Sequence, residues 1–333
     1  MNQTPLRPSE EGRLFCYSRY FGAPPFSGEL KNLGDLLSDN FSLSDASSDG
    51  YFLALDHDPN ALRLAKKAGI PKGRRYLVVR EPKQVLAFPH SRGARREYGA
   101  IFFLGFPVQD QLYLPWPFVP PASQVSAALE PKRKNGAVAV ASWRVSFIRG
   151  SLYTLRASAF KDLDVDVYGR GWNDRWQTKS REIAGNFAIA LRQPGSLLIS
   201  MGQLFARPNK YLGEASDKHE VLRGYKISLV VENSTDYSSE KLLDALFCGT
   251  IPVYCGADPH LLGIPEGLVV TCEPSLKALE RGLIIAASMN YEKWREGADA
   301  WIEETLSQKV LLSEGVWRNV VSELLEITRR EHF

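Results

Sequence analysis

Short apolar runs alternate with amphipathic segments along most of this chain. The run Tyr51–Leu55 stops at Asp56, and the run Tyr76–Val79 stops at Arg80. Between them, residues Pro59–Ala68 have apolar positions at helical spacing. Buried strands that alternate with helices are typical of parallel sheets covered on both faces. The pattern therefore predicts an α/β fold.

The pattern is interrupted once and then resumes. Residues 114–122, LPWPFVPPA, contain too much proline for a helix or a central strand, and a polar link follows at residues 130–136. A chain of 333 residues also exceeds the roughly 250–300 residues at which a single core stops growing. We therefore predict two Rossmann-like α/β domains, residues 13–135 and 136–333, whose parallel sheets face a central cleft.

The second half contains the clearest local signal, a strand, a helix and a second strand within about 30 residues. The strand is predicted over Lys226–Val231 and the helix over Ser239–Cys248, which places Lys241 in the first turn of that helix. Arg149 lies near the predicted start of the first helix of this half. Cations oppose the dipole of a helix N-terminus, and a bound pyrophosphate would remove that conflict. The alternative, two solvated surface cations, stays open at this point.

Composition narrows the classes of function. With 41 Lys and Arg against 38 Asp and Glu, the net charge is only +3, which argues against a dedicated DNA-binding protein. Four cysteines without a Cys-x-x-Cys spacing predict neither a disulfide scaffold nor a structural zinc. The chain shows no signal peptide and no run near the ~18 apolar residues that cross a bilayer. We expect a soluble, cytoplasmic protein.

One stretch of the second half resembles a known family. Residues 225–242, YKISLVVENSTDYSSEKL, and residues 249–256, GTIPVYCG, resemble the α-1,3-fucosyltransferases of glycosyltransferase family 10. That family's signature is a strand ending in Phe-Glu-Asn-Ser, a loop with Asp-Tyr, then Thr-Glu-Lys, a helix and Gly-Thr-[Val/Ile]-Pro-Val. Val231 and Ser239 depart from it, and the loop between Asn233 and Glu240 is two residues shorter than in the eukaryotic members.

The resemblance extends over most of residues 50–305. VDVYGR at residues 165–170 and the pair Ile264-Pro265 are similar to family segments, and Arg149 precedes Leu152-Tyr153 as the family's Arg precedes its aromatic pair. In the first half, DGYFLALDHD at residues 49–58 and Arg80-Glu81-Pro82 match more weakly.

The resemblance implies a GT-B fold and inverting transfer of L-fucose from GDP-fucose to a sugar hydroxyl, with an α-1,3/4-type linkage. Lys241 and Arg149 would bind the diphosphate, so neither a metal nor another cofactor would be required. The donor sugar or nucleotide would be bound by residues at the strand ends of the second half: Glu232, Asn233, Tyr237, Glu240 and Tyr168. The absent Golgi anchor implies a bacterial or phage-like setting, with peripheral association at the inner membrane face left open.

A transfer of this kind also needs a carboxylate that accepts the proton of the acceptor hydroxyl. Glu81, at the end of a first-half strand, is the candidate base; a surface glutamate before a proline is the alternative. Asp56 and Asp58 are rivals, and with His57 they are candidates for binding the acceptor. Asp164-Val165-Asp166 has the Asp-x-Asp spacing of metal sites in a different glycosyltransferase fold, and we interpret it as the edge of a strand.

Two other functions stay open. The first is a GT-B transferase that uses another nucleotide sugar. The second is a non-catalytic protein that binds glycan or nucleic acid through its short basic clusters, residues 72–75, 92–96 and 131–134. These clusters are more simply explained by solvated faces or by contact with anionic lipid or glycan. We expect a GDP-sugar and a glycan as partners, and no nucleic acid.

Overall fold

A computed structural model describes residues 12–26, 30–107, 113–121, 133–174 and 206–330. Lys132 and most of the segment 171–215, which the sequence indicates to be irregular, lie outside these ranges. The chain divides into two compact units. Unit 1 comprises Met1–Val119 and Lys309–Phe333, and unit 2 comprises Pro120–Gln308.

Eleven strands and nine α-helices lie in the described residues. In chain order they are β1 (Arg13–Ser18), α1 (Lys31–Asn40), β2 (Ser42–Leu43), β3 (Tyr51–Leu55), α2 (Pro59–Lys67), β4 (Arg75–Val79), α3 (Arg92–Glu97), β5 (Ala100–Phe103), β6 (Lys134–Val140), α4 (Tyr153–Asp162), β7 (Val165–Tyr168), β8 (Lys210–Gly213), α5 (Lys218–Arg223), β9 (Tyr225–Val231), α6 (Glu240–Phe247), β10 (Ile251–Cys255), β11 (Val270–Thr271), α7 (Leu276–Ser288), α8 (Tyr291–Gln308) and α9 (Ser313–Arg330).

Unit 1 is built on a parallel sheet in the order β2-β1-β3-β4-β5. Every residue of β3 and β4 is buried, as the continuous apolar runs in the sequence predict. One face of the sheet packs on α2 through Ala61, Leu62 and Ala65. The other face forms a core with α1 and α9. Because all strands are parallel, their polar carboxyl ends lie along one edge.

The place of α9 differs from the prediction, which assigned residues 136–333 to the second domain. Its apolar stripe includes Val316, Trp317 and Val320, and these pack in one core with Leu33 and Leu37 of α1. Their burial stabilises unit 1, since each large apolar side chain contributes roughly 1.5–3 kcal/mol when removed from water. The end of the chain therefore belongs to unit 1.

Unit 2 contains a parallel sheet in the order β11-β10-β9-β6-β7-β8. From β6 the chain builds outward to β7 and β8, and then returns to place β9 on the other side of β6. In such sheets ligands bind at the carboxyl ends of the strands where the strand order reverses. A ligand site in unit 2 is therefore expected at the carboxyl ends of β6 and β9.

Both units thus confirm the predicted α/β class with parallel sheets. None of the helices in the described ranges combines the length and the apolar character that a bilayer crossing demands.

Candidate functional site

A cavity of about 230 Å³ lies at the reversal point of the sheet in unit 2. Its walls come from the ends of β6, β7 and β9 and from α5 and α6; the polar or charged side chains among them are Ser142, Arg170, Lys218, Ser228, Glu240, Lys241 and Asp244. Gly169 adopts φ 147°, and a Cβ at this position would lie 2.1 Å from the carbonyl oxygen of Ala141. A side chain would not fit here, so the residues that follow β7 can pass this close to those that follow β6 only with glycine at this position.

Lys241 is held at the start of α6 by the residues that precede it. Glu232 follows β9 directly, and its fully buried carboxylate accepts hydrogen bonds from the backbone N and the Oγ of Ser239, each at 2.9 Å. The Nζ of Lys241 lies 2.7 Å from Ser239 Oγ and 3.5 Å from Glu232 Oε2. Glu232 therefore joins the end of β9 to the N-terminus of α6 and anchors the ammonium group. The sequence offered Glu232 as a donor-binding residue; its carboxylate is already bonded within its own loop.

Asn233 is fixed by a residue that the sequence did not single out. Arg156, on α4, is 4% exposed, and its guanidinium donates to the Val231 carbonyl oxygen at 2.9 Å and to Asn233 Oδ1 at 3.0 Å. The guanidinium also lies 4.9 Å from the ring centre of Tyr153. Burial lowers the pKa of Arg156. This arginine ties the loop after β9 to α4.

A network of charges between α5 and α6 also lines the cavity. Asp244 is buried and meets Lys218 Nζ at 2.5 Å and His219 Nε2 at 2.7 Å. Lys218 Nζ lies 3.8 Å from Glu240 Oε1. Burial raises the pKa of Glu240, but Lys241 and Lys218 outweigh it and hold that pKa below its ordinary value. Glu240 therefore faces the cavity as a carboxylate at neutral pH.

The remaining predicted residues of unit 2 do not line this cavity. Arg149 is exposed in the turn before α4, which begins at Tyr153 and thus later than the sequence predicts. Two residues further on, Ser151 pairs with Ser234, so the turn of Arg149 lies beside the loop that follows β9. Tyr237 is 1% exposed and lies in the core. Tyr168 is partly buried and packs against an apolar cluster that includes Leu222.

The acceptor-side candidates of unit 1 have structural roles. Asp56 is fully buried, with φ 57°, and its carboxylate accepts from the backbone N of Arg80 at 2.8 Å and from its guanidinium at 3.0 Å. Asp58 caps α2, accepting from the backbone N of Asn60 at 2.9 Å and of Ala61 at 2.8 Å. The strand-end carboxylates that looked available in the sequence are thus bonded to the protein.

His57 is also bonded within unit 1. Its Nδ1 lies 3.0 Å from Tyr98 Oη, and its ring centre lies 4.1 Å from that of Phe88. Burial, followed by the charge of Arg19, lowers the pKa of His57. The imidazole is therefore mostly neutral at pH 7.

Glu81 lies at the carboxyl edge of the same sheet and is half-buried. Its backbone carbonyl lies 3.0 Å from His90 Nε2. Burial and then the negative charges of Glu81 and Asp56 raise the pKa of Tyr20 to about 12, which indicates that the carboxylate of Glu81 lies near Tyr20. The structure brings Glu81 to the strand-end edge that the sequence predicts.

The Asp-x-Asp sequence forms no metal centre with its neighbours. Asp164 pairs with Lys210, and Asp166 accepts a hydrogen bond of 2.6 Å from Tyr225 Oη. Within the described part of the chain, no three His, Cys, Asp or Glu side chains are grouped as a metal site requires. Transfer without a metal stays a prediction.

Comparison with known proteins bears on the fold. No protein-family model and no curated protein matches the sequence. The chain is similar to a UDP-forming α,α-trehalose-phosphate synthase from Burkholderia xenovorans, with a TM-score of 0.51, 14% identity, and coverage of 84% of this chain and 74% of that one. It is also similar to the N-terminal domain of Candida albicans trehalose-6-phosphate phosphatase, with a TM-score of 0.51, 10% identity and 98% coverage of both chains.

An α1,3-fucosyltransferase is similar at a TM-score of 0.44 and 16% identity, covering 89% of this chain and 84% of that one. At that score the likeness carries no argument about activity. The two parallel-sheet units, together with the similarities above 0.5, show that the chain has a GT-B fold.

Proposed function

We propose that the protein is an inverting glycosyltransferase whose donor is a nucleoside diphosphate sugar, GDP-fucose, and whose acceptor is a sugar hydroxyl of a glycan. One observation carries the proposal: the cavity at the reversal point of unit 2 combines the N-terminus of α6 with the anchored ammonium group of Lys241. The GT-B fold supports it.

The chemistry of the leaving group explains this arrangement. When the bond between the anomeric carbon and the diphosphate oxygen breaks, negative charge grows on the diphosphate. A fixed cation and the positive end of a helix dipole stabilise such charge without reorganising during the reaction. Glu232 and Ser239 place Lys241 in advance, and the 3.5 Å separation from Glu232 Oε2 leaves the ammonium able to contact a second anion. Arg149, beside the loop that follows β9, is the proposed second cation.

The choice of GDP-fucose rests on the sequence. Residues 225–256 resemble the donor-binding segment of the α-1,3-fucosyltransferases in strand, loop, helix and following strand. In this proposal Glu240 and Asn233 contact the donor, the first from the cavity wall and the second from the loop that Arg156 holds. A GT-B transferase with a different nucleotide sugar is the alternative.

Glu81 is the proposed general base. In a single displacement, the acceptor oxygen attacks the anomeric carbon, the diphosphate leaves with the bonding electrons, and the hydroxyl proton passes to a carboxylate. Asp56 and Asp58 are bonded to Arg80 and to the start of α2 respectively. Glu81 follows β4 at the carboxyl edge of the sheet in unit 1, and this position at a strand end supports its assignment as the base.

Calorimetric titration with nucleotides tests the donor site. We expect GDP to bind in the presence of EDTA, and Lys241→Ala to weaken that binding at least tenfold. Lys293→Ala, an exposed position on α8, is the matched control and keeps wild-type affinity. Equal GDP affinity in Lys241→Ala and wild type would show that the donor is not bound at α6, and tighter binding of UDP than GDP would favour the alternative donor.

A further inference from the structure

The positive charge of the chain is concentrated in one segment. Residues 59–97 contain eleven Lys and Arg but only two Asp and Glu, a net charge of +9. The whole chain carries +3, so the remainder carries −6. A charge difference of this size between two parts of one chain indicates an anionic partner for the basic part.

The structure brings these cations to one edge of unit 1. Lys66 and Lys67 lie in the last turn of α2, Lys72 and Arg74 in the 3₁₀ turn that directly precedes β4, and Arg95 and Arg96 in the last turn of α3. We call these six residues the basic edge.

The carboxylate of Glu97, at the end of α3, shows that the end of α2 and the start of β4 lie beside it. Lys66 Nζ lies 3.0 Å and Arg75 Nη1 lies 3.3 Å from Glu97 Oε2. Helices that connect parallel strands run antiparallel to them, so α2 and α3 end where β4 begins. The basic edge therefore follows the amino ends of the strands.

The candidate reaction does not account for these cations. Asp56, Arg80 and Glu81 follow the carboxyl ends of β3 and β4, at the other edge of the same sheet. Cations do stabilise a helix C-terminus, but that effect is confined to the last turn and does not explain the exposed Lys72 before β4. Among the described residues, two acids interact with the basic edge: Glu97, whose pKa is lowered by its hydrogen bond with Lys66, and Asp49, near Arg74. The surface remains strongly positive.

We propose that the basic edge docks unit 1 on the surface of a membrane that contains anionic lipid. The exposed side of α2 supports lipid over other polyanions, because Leu64 is 55% exposed there between Arg63 and Lys67. Cations that flank an exposed apolar side chain are typical of helices that lie on anionic bilayers. Single-stranded nucleic acid, in contrast, is bound by exposed aromatic rings on which bases stack. The large apolar side chains exposed between residues 59 and 97 are Leu64 and Val85, and neither is aromatic.

Vesicle cosedimentation of the full chain tests the proposal. We expect the protein to sediment with vesicles of about 70% phosphatidylcholine and 30% phosphatidylglycerol, whose surface is negatively charged like that of a membrane with anionic lipid. We expect no sedimentation with vesicles of phosphatidylcholine alone. Raising the salt to about 0.5 M should release it, because screening shortens the reach of surface charge. The variant Lys67→Glu, Arg95→Glu, Arg96→Glu should lose at least tenfold in partition coefficient.

A matched control reverses the same number of charges in unit 2. Lys277→Glu, Arg281→Glu, Lys293→Glu changes exposed residues of α7 and α8 and should bind vesicles as the wild type does. Thermal melts of both triple variants check that they fold, and Lys67→Gln, Arg95→Gln, Arg96→Gln replaces the first one if it does not. Equal binding of the basic-edge variant and the control would overturn the proposal. So would the absence of binding to anionic vesicles, or tighter salt-sensitive binding to RNA or duplex DNA than to vesicles.

Discussion

We expect the buried Arg156 to hold the loop that follows β9 in the form that binds the donor. Its guanidinium holds the Val231 carbonyl and the side chain of Asn233 from a site that is 4% exposed. In Arg156→Met a side chain of similar length remains, but both acceptors lose their donor. The substitution therefore separates the hydrogen bonds from the packing.

The magnitude follows from the two contacts. Hydrogen bonds from a charged donor contribute about 1.5–3 kcal/mol each, but the substitution also removes the desolvation cost of burying a charged guanidinium, which offsets part of that loss. We expect a net loss of about 2–4 kcal/mol in the free energy of unfolding. A domain of 150–250 residues loses about 2–4 °C in Tm per kcal/mol of lost stability. In calorimetry of the full chain, the Tm of unit 2 should therefore fall by on the order of 10 °C.

The loop should also lose its preorganised form, so the Kd of GDP should rise several-fold more than destabilisation alone explains. Ile302→Ala on α8 is the control, because this buried residue belongs to unit 2 and its truncation costs a similar 2–5 kcal/mol. It should lower Tm but leave GDP affinity unchanged. Arg156→Lys should fall between Met and wild type, since one ammonium does not reproduce the planar fork. If Arg156→Met lowers Tm but binds GDP with the same affinity as Ile302→Ala, Arg156 does not position the loop that follows β9.

Three predictions concern unit 1. Asp58→Ala should cost about 1 kcal/mol in urea unfolding because α2 loses its cap, while transfer rates stay within twofold; a rate loss of tenfold or more would return Asp58 to the acceptor site. Glu81→Gln should keep the GDP affinity of the wild type and lower the transfer rate 10²–10⁴-fold, the usual contribution of a general base; normal turnover would refute the assignment. Burial lowers the pKa of His57, so the unfolded state binds more protons and unfolding free energy should fall as pH drops below about 6.5, by at most about 1.4 kcal/mol per pH unit. His57→Gln should flatten this dependence in urea titrations from pH 7.5 to 5, and an unchanged slope would assign it to other groups.

Local patterns in the sequence predicted much of the fold. The strand–helix–strand unit of residues 226–254 and the buried strands β3 and β4 follow directly from apolar runs that end in polar residues. The position of α9 could not be predicted this way. Its apolar stripe requires a partner, but nothing in the spacing of that stripe distinguishes α1 of unit 1 from the nearer helices of unit 2.

The site could be predicted only in part, because a polar residue at a strand end has several uses. Asp58 precedes Pro59 and Asn60, and an Asp before a Pro at the first helical position is a signal for a helix cap. That signal was present in the sequence. The pairing of Asp56 with Arg80 joins two strands and has no local signature. Arg156 lies within α4 at a position where a buried arginine cannot be distinguished from a solvated one by periodicity.

A transfer assay tests most directly whether unit 2 binds a GDP-sugar and the chain transfers its sugar. Purified protein is incubated with GDP-fucose, GDP-mannose, UDP-glucose and UDP-N-acetylglucosamine on a glycan array, and the product linkage is determined by NMR. We expect fucosylated product from GDP-fucose with inverted anomeric configuration, and none in Lys241→Ala. Preferential use of a UDP-sugar would contradict the donor, and the absence of transfer from every donor together with no binding of GDP would contradict the enzyme assignment.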